Sequence, residues 1–213
     1  LDPMLGEHAS PFSFSVQRFS QDLAIPMDSL PEIDAVIFSH DHYDHLDYAT
    51  ILKIKDKVKH FYVPIGLGGH LRYWGVSEDK ITELDWWDTI DQNGIELVCT
   101  PSQHFSGRSI NDRGATLWSS WVIKGKNKKI FFSGDSGYFP GFKTIGEKYG
   151  PFDIALIECG QYNEMWEEIH MLPEQSAQAA VDVKAQSAMP IHWGMFDLSL
   201  HEWTEPILRV SAK

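Results

Sequence analysis

His40, His42, Asp44 and His45 fall within six residues of this 213-residue chain, in the stretch Ser39-His40-Asp41-His42-Tyr43-Asp44-His45-Leu46-Asp47. Imidazole nitrogen and carboxylate oxygen are the donors that borderline and hard divalent cations take readily. Crowding four such groups together is costly unless a cation sits among them, so the cluster reads as a metal site. The set contains no cysteine, whereas structural zinc sites are usually four-coordinate and cysteine-rich. That points to a cation used for chemistry. The apolar run Ala35-Val36-Ile37-Phe38 comes directly before the cluster and has no helical period, so it reads as a buried strand. His40 and His42 lie two apart, and extended chain turns both to the same side. Asp44 and His45 follow in the turn.

H-x-H-x-D-H after a strand resembles the signature of the metallo-β-lactamase superfamily. The resemblance calls for three more ligands downstream, each at a strand end. Glu96-Leu97-Val98-Cys99-Thr100 leads to His104, Lys129-Ile130-Phe131-Phe132-Ser133-Gly134 leads to Asp135, and Ala188-Met189-Pro190-Ile191 leads to His192. By this resemblance His40, His42 and His104 bind a first metal ion, Asp44, His45 and His192 bind a second, and Asp135 bridges them. The two ions are expected to be zinc, with manganese or iron compatible with the same donors. The resemblance also implies a shared water, deprotonated near neutral pH to a bridging hydroxide, with Asp44 orienting it or taking its proton. Asp2, in Leu1-Asp2-Pro3, matches an aspartate that supports the ligands. Gln161, Tyr162 and His170 match positions at the substrate, His170 toward its phosphate or leaving group.

A narrower likeness rests on Thr100-Pro101-Ser102-Gln103-His104-Phe105-Ser106-Gly107-Arg108, Leu117-Trp118-Ser119-Ser120-Trp121-Val122, Gly134-Asp135-Ser136-Gly137-Tyr138 and Ile191-His192-Trp193-Gly194. These stretches resemble the branch containing N-acylphosphatidylethanolamine-hydrolysing phospholipase D and its bacterial relatives. Ascorbate-6-phosphate lactonases are a more distant neighbour. The implied reaction is hydrolysis of a phosphodiester, small or lipid-like. The same apparatus acting on a lactone or other carboxylic ester is the alternative, and a non-catalytic metal-binding scaffold is a third reading. Where many relatives carry a Pro-Arg pair, this chain has Asn163-Glu164-Met165. The flavin-partnered diiron branch carries glutamate at the place of His42, which sets oxygen reduction aside.

The net charge of -12 argues against a nucleic-acid partner and against a polybasic grip on anionic lipid. No run approaches the ~20 apolar residues of a membrane helix. Cys99 and Cys159 sit inside apolar runs and read as small buried hydrophobes of a reducing compartment, so a cytoplasmic, bacterial location is expected. The chain opens at Leu1 rather than methionine. His8, His60, His70 and His201 read as surface or structural histidines. The loop Ala9-Ser10-Pro11-Phe12-Ser13-Phe14 reads as packing over the site entrance. Gly66-Leu67-Gly68-Gly69 matches neither nucleotide-binding fingerprint and reads as a tight strand-to-helix turn.

These groups are positioned by strands expected at 35–38, 61–64, 80–84, 95–100, 117–124, 129–133, 152–159 and 189–192. Helices are expected at 47–57, through 71–74, and at 173–185, the last with proline at its start. Asn93-Gly94 and Gly125-Lys126-Asn127-Lys128 read as hairpin turns. Strands alternate with helices, yet hairpins join several of them, so the fold class is α+β with two mixed sheets. Length and an apolar share of 43% fit a single domain over 1–213. The resemblance implies the αβ/βα four-layer sandwich, with N-terminal strands before Leu1 and a C-terminal segment beyond Lys213 belonging to it.

Overall fold

The computed structural model describes residues 1–20, 23 and 25–213. The chain divides into two compact units. One comprises Leu1–Asp85 and Phe105–Trp118, the other Trp86–His104 and Ser119–Lys213.

The first unit holds a three-stranded parallel sheet, β1 (Val36–Ile37), β2 (Phe61–Pro64) and β3 (Ile81–Leu84), in that order. Helix α1 (Tyr48–Ile54) links β1 to β2, and α2 (Gly68–Tyr73) lies between β2 and β3. β1 and β2 are buried along their whole length, which fits parallel strands covered on both faces. The expectation of two mixed sheets is corrected here: this sheet is wholly parallel, because each link carries a helix instead of a hairpin. Helix α1 starts where the histidine loop ends, since the Asp47 carboxylate accepts the N–H groups of Thr50 at 2.8 Å and Ala49 at 3.3 Å. It ends earlier than position 57, where the amides of Lys57 and Val58 both turn back onto the Ile54 carbonyl. Phe38, Leu46, Ile51, Ile54, Phe61, Val63, Leu67 and Leu71 form the core beneath. The segment Phe105–Trp118 closes on itself through Ser106 Oγ, which donates to the Thr116 carbonyl at 2.6 Å. It joins the sheet side where Leu117 N donates to Ile65 O at 2.8 Å.

The second unit is built on a six-stranded sheet: β4 (Thr89–Gln92), β5 (Ile95–Thr100), β6 (Ser120–Lys124), β7 (Lys129–Phe132), β8 (Ile154–Glu158) and β9 (Ala188–Ile191), in sequential order. The first four are antiparallel neighbours, and β7, β8 and β9 run parallel. Asn93 and Gly94 both take positive φ, 52° and 84°, the two-residue turn that matches strand twist. Helices α3 (Gly141–Tyr149) and α4 (Pro173–Asp182) carry the parallel crossovers, and α5 (Glu205–Ser211) follows β9. Phe142, Ile145 and Gly146 of α3 recur at helical spacing and are buried, packing with Phe131, Phe152, Ile157 and Met171. Cys99 and Cys159 are free and buried. Among the described residues, no helix is long and apolar enough to cross a membrane.

Candidate metal centre

In the first unit, β1 runs out into the histidine loop. The amide of Phe38 still pairs with the Tyr62 carbonyl at 3.0 Å, and the chain then turns free of the sheet. Nε2 of His40 and Nδ1 of His42 stand 2.9 Å apart. His45 Nε2 lies 3.5 Å from Asp44 Oδ2. A cation about 2.1 Å from each of two donors at a tetrahedral angle would hold them about 3.4 Å apart. The His45–Asp44 pair matches that spacing, and the His40–His42 pair is drawn closer, to the separation of a direct hydrogen bond. Asp2, His40 and His45 each present a donor atom within a 4.8 Å group. Asp2 supports this loop by accepting from Ser39 N at 2.7 Å and from the Ser39 hydroxyl. Ser39 Oγ is also 2.9 Å from His40 Nδ1. The Nδ1 atoms of His40 and His45 are thus engaged, the latter by Asp2 Oδ2 at 2.7 Å, which fixes the tautomer and orientation of these two rings.

In the second unit, β5 delivers His104. Its Nδ1 lies 2.9 Å from the Ile169 carbonyl, so that nitrogen carries the proton and Nε2 faces Asp135, 3.8 Å from its Oδ2. The preceding Gln103 is tied to the Asp135 loop, since Gln103 N donates to Ser136 Oγ at 2.9 Å and Gly137 N donates to Gln103 O at 2.8 Å. Strand β7 delivers buried Asp135 through Gly134, at φ 56°. Strand β9 delivers His192, whose Nε2 is 3.4 Å from Asp135 Oδ2. His192 itself has φ 65°, a left-handed conformation that costs a non-glycine residue strain and clusters at functional sites. Gly160 permits it, for a Cβ there would stand 1.9 Å from the His192 carbonyl oxygen. His104, Asp135 and His170 form one donor group within this unit.

Beneath these histidines lies a residue that sequence reasoning missed. Glu158 ends β8 and is fully buried. It accepts from Met171 N at 3.0 Å and Ser136 N at 3.3 Å. Its Oε2 is 3.2 Å from Nδ1 of His170 and 3.6 Å from Nδ1 of His192. The two imidazoles stack at 5.6 Å with an interplanar angle of 10°. Burial alone would lower the His170 pKa, but the charge and hydrogen bond of Glu158, helped by Asp135, raise it above the usual histidine value. The signal that could have found Glu158 is a carboxylate closing the apolar run Ile154-Ala155-Leu156-Ile157, since a buried charge requires partners.

The other two expected substrate residues also belong to the second unit. The Gln161 amide is used internally, donating to Phe196 O at 3.0 Å and accepting from Leu198 N at 3.0 Å. Tyr162 lines a cavity of about 480 Å³ with Leu172, Leu200, His201 and Arg209. Its hydroxyl donates to Glu205, and its ring stacks on His201 at 4.3 Å. In the first unit, His70 lies 3.5 Å from Asp41 and His60 lies 2.8 Å from Thr82 Oγ1, so both are satisfied structural histidines.

The sequence pattern described as the beta-lactamase superfamily domain matches residues 1–193. The chain belongs to the metallo-β-lactamase superfamily. Its mixed α+β fold is that of the superfamily. An isothiocyanate hydrolase from Delia radicum gut bacteria superposes with a TM-score of 0.74 at 21% identity, covering 100% of this chain and 84% of its own. An uncharacterized protein of Mycobacterium tuberculosis is 41% identical over 99% of this chain. The N-acyl-phosphatidylethanolamine-hydrolyzing phospholipase D 1 of Caenorhabditis elegans is 34% identical over 95% of it. The chain spans 58% and 60% of the length of these two relatives.

Proposed function

We propose that this superfamily member is a dinuclear metal-dependent hydrolase acting on a phosphodiester. His40, His42 and His104 hold one ion, Asp44, His45 and His192 hold the other, and Asp135 bridges them. The observation that carries this reading is the complete seven-residue donor set, in superfamily order from 40 to 192. The facing donors within each unit support it. The expected metal is zinc, with manganese or iron compatible with the same nitrogen and oxygen donors.

Divalent ions held by these residues would acidify a bound water and offset the charge that develops on the attacked phosphoryl oxygen. The chain's own residues do the rest. Asp44 orients the attacking water and accepts its proton. Glu158 engages Nδ1 of His170, so Nε2 is the nitrogen left to face the substrate, and it donates to the phosphate or leaving oxygen. Ile169 O fixes the His104 ring, and Glu158 and Asp135 flank that of His192.

The phosphodiester assignment draws on the likeness to the C. elegans phospholipase D. A lactone or other carboxylic ester is the second reading. It is favoured by Asn163-Glu164-Met165, which puts an acid where relatives carry an arginine that suits a phosphate group. A cytoplasmic setting belongs to the same proposal, on the two buried free thiols. The test is turnover of bis-p-nitrophenyl phosphate against a lactone panel by the full-length protein, before and after chelation. Chelator-sensitive phosphodiester turnover supports the first reading. Lactone turnover alone transfers the site to the second.

A further inference from the structure

The loop that carries four of the proposed ligands is gripped by a side chain that is not one of them. Arg108 lies in the Phe105–Trp118 segment of the first unit. Its Nη1 donates to the carbonyl oxygen of Asp41 at 2.6 Å and to that of Leu46 at 2.7 Å. These two carbonyls bracket His42, Asp44 and His45: Asp41 comes just before the first, and Leu46 just after the last. The guanidinium also lies over the Tyr43 ring, 3.9 Å from its centroid. Tyr43 returns the contact, its hydroxyl donating to Arg108 O at 3.0 Å. Next door, Gly107 N donates to Asp41 Oδ1 at 2.7 Å. The segment therefore holds the loop at both ends and in the middle.

The loop needs such a grip. Backbone bonds from His45 N at 3.1 Å and Leu46 N at 2.8 Å to His42 O close the loop from inside. Arg108 adds a tie from outside, across the carbonyls of Asp41 and Leu46. Bringing His40 and His42 nitrogens to 2.9 Å orders several rotamers and crowds dipoles. Without support, the cost of ordering these side chains would be taken from metal affinity. One nitrogen that bridges both flanking carbonyls sets the loop's span before any cation arrives.

We propose that Arg108 is a positioning residue that preassembles the metal-binding loop, an inference that rests on the metal reading above. The test uses full-length wild type, Arg108→Met and Arg108→Lys. Zinc affinity is measured by chelator competition, loop order by amide hydrogen exchange of the metal-free proteins, and folding by thermal melts. Arg108→Met keeps the apolar stem and loses both donors. It is expected to bind zinc about 10–100-fold more weakly, with faster exchange at the His45 and Leu46 amides. Arg108→Lys keeps a cationic donor on a stem one bond shorter and is expected to recover part of the affinity. Wild-type zinc affinity and loop protection in a folded Arg108→Met would overturn the proposal. Should that variant not fold, the metal-free wild type decides: protected His45 and Leu46 amides support preassembly, and free exchange there overturns it. A wild type that binds no zinc yet shows a protected loop sinks the metal reading and leaves the grip standing.

Discussion

Oδ2 of Asp2 stands 2.7 Å from Nδ1 of His45, while Oδ1 of the same carboxylate accepts the Ser39 amide at 2.7 Å. One carboxylate thus fixes both the entry to the histidine loop and the tautomer of a proposed ligand, leaving Nε2 of His45 to face Asp44. Asp2→Asn keeps the shape and removes the charge that makes the imidazole a better donor. Zinc affinity is expected to fall about 10-fold or more, with fold retained by circular dichroism. Unchanged affinity in chelator competition would count against the supporting role.

Glu158 is the second support. Replacing it with glutamine leaves a poorer acceptor for Met171 N and Ser136 N and removes the buried charge beside His170 and His192. A loss of roughly 1–3 kcal/mol in stability is expected from the disturbed buried network, read by urea unfolding. Turnover should fall by more than the unfolded fraction accounts for. A variant as active and as stable as wild type would show the glutamate to be dispensable.

The Cys159 thiol is pushed up to about 12 by burial, with the Glu158 charge adding to the shift. It stays protonated at physiological pH and is a poor nucleophile. Neither Cys99 nor Cys159 should react with a disulfide reagent at pH 8 in the native protein, and both should react in denaturant. Rapid native labelling of either would contradict their burial.

Arg209 ties α5 to α4 through Glu174, at 3.1 and 2.7 Å. Its hydrogen bond holds the Glu174 carboxyl below its usual range. Glu205 is also held low, first by the Tyr162 hydroxyl and then by Arg209. Depressed folded values mean that this stabilisation is present above the ordinary glutamate pKa and is lost as pH falls through the lower folded one. Because these side chains are more than a third exposed, screening limits the effect, and Arg209→Met is expected to cost below about 1 kcal/mol at pH 7. The difference from wild type should shrink as melts are taken to pH values below the ordinary glutamate range.

Much of the candidate site was legible because residues able to bind metal stand out by type and spacing. His40 and His42 alternate in extended chain, and His104, Asp135 and His192 each follow an apolar run. The Asn93-Gly94 hairpin was readable from its turn chemistry. What stayed hidden depends on tertiary context. Glu158 looks like the tail of a strand until His170, 12 residues away, is folded over it. The role of Arg108 shows only where it meets the carbonyls of Asp41 and Leu46, 67 and 62 residues distant. Helix α3 was obscured by Gly141 and Gly146, poor helix formers that its packing overrides. Strand β4 is short and half polar, and its pairing with β5 supplies what propensity does not.

The central claim is a two-metal site, and metal counting tests it most directly. Full-length protein purified without added metal should carry close to two divalent ions per chain by inductively coupled plasma mass spectrometry. Asp135→Ala, lacking the proposed bridge, should carry fewer and lose turnover. One ion or none in correctly folded wild type, or two ions undiminished in Asp135→Ala, would contradict the account.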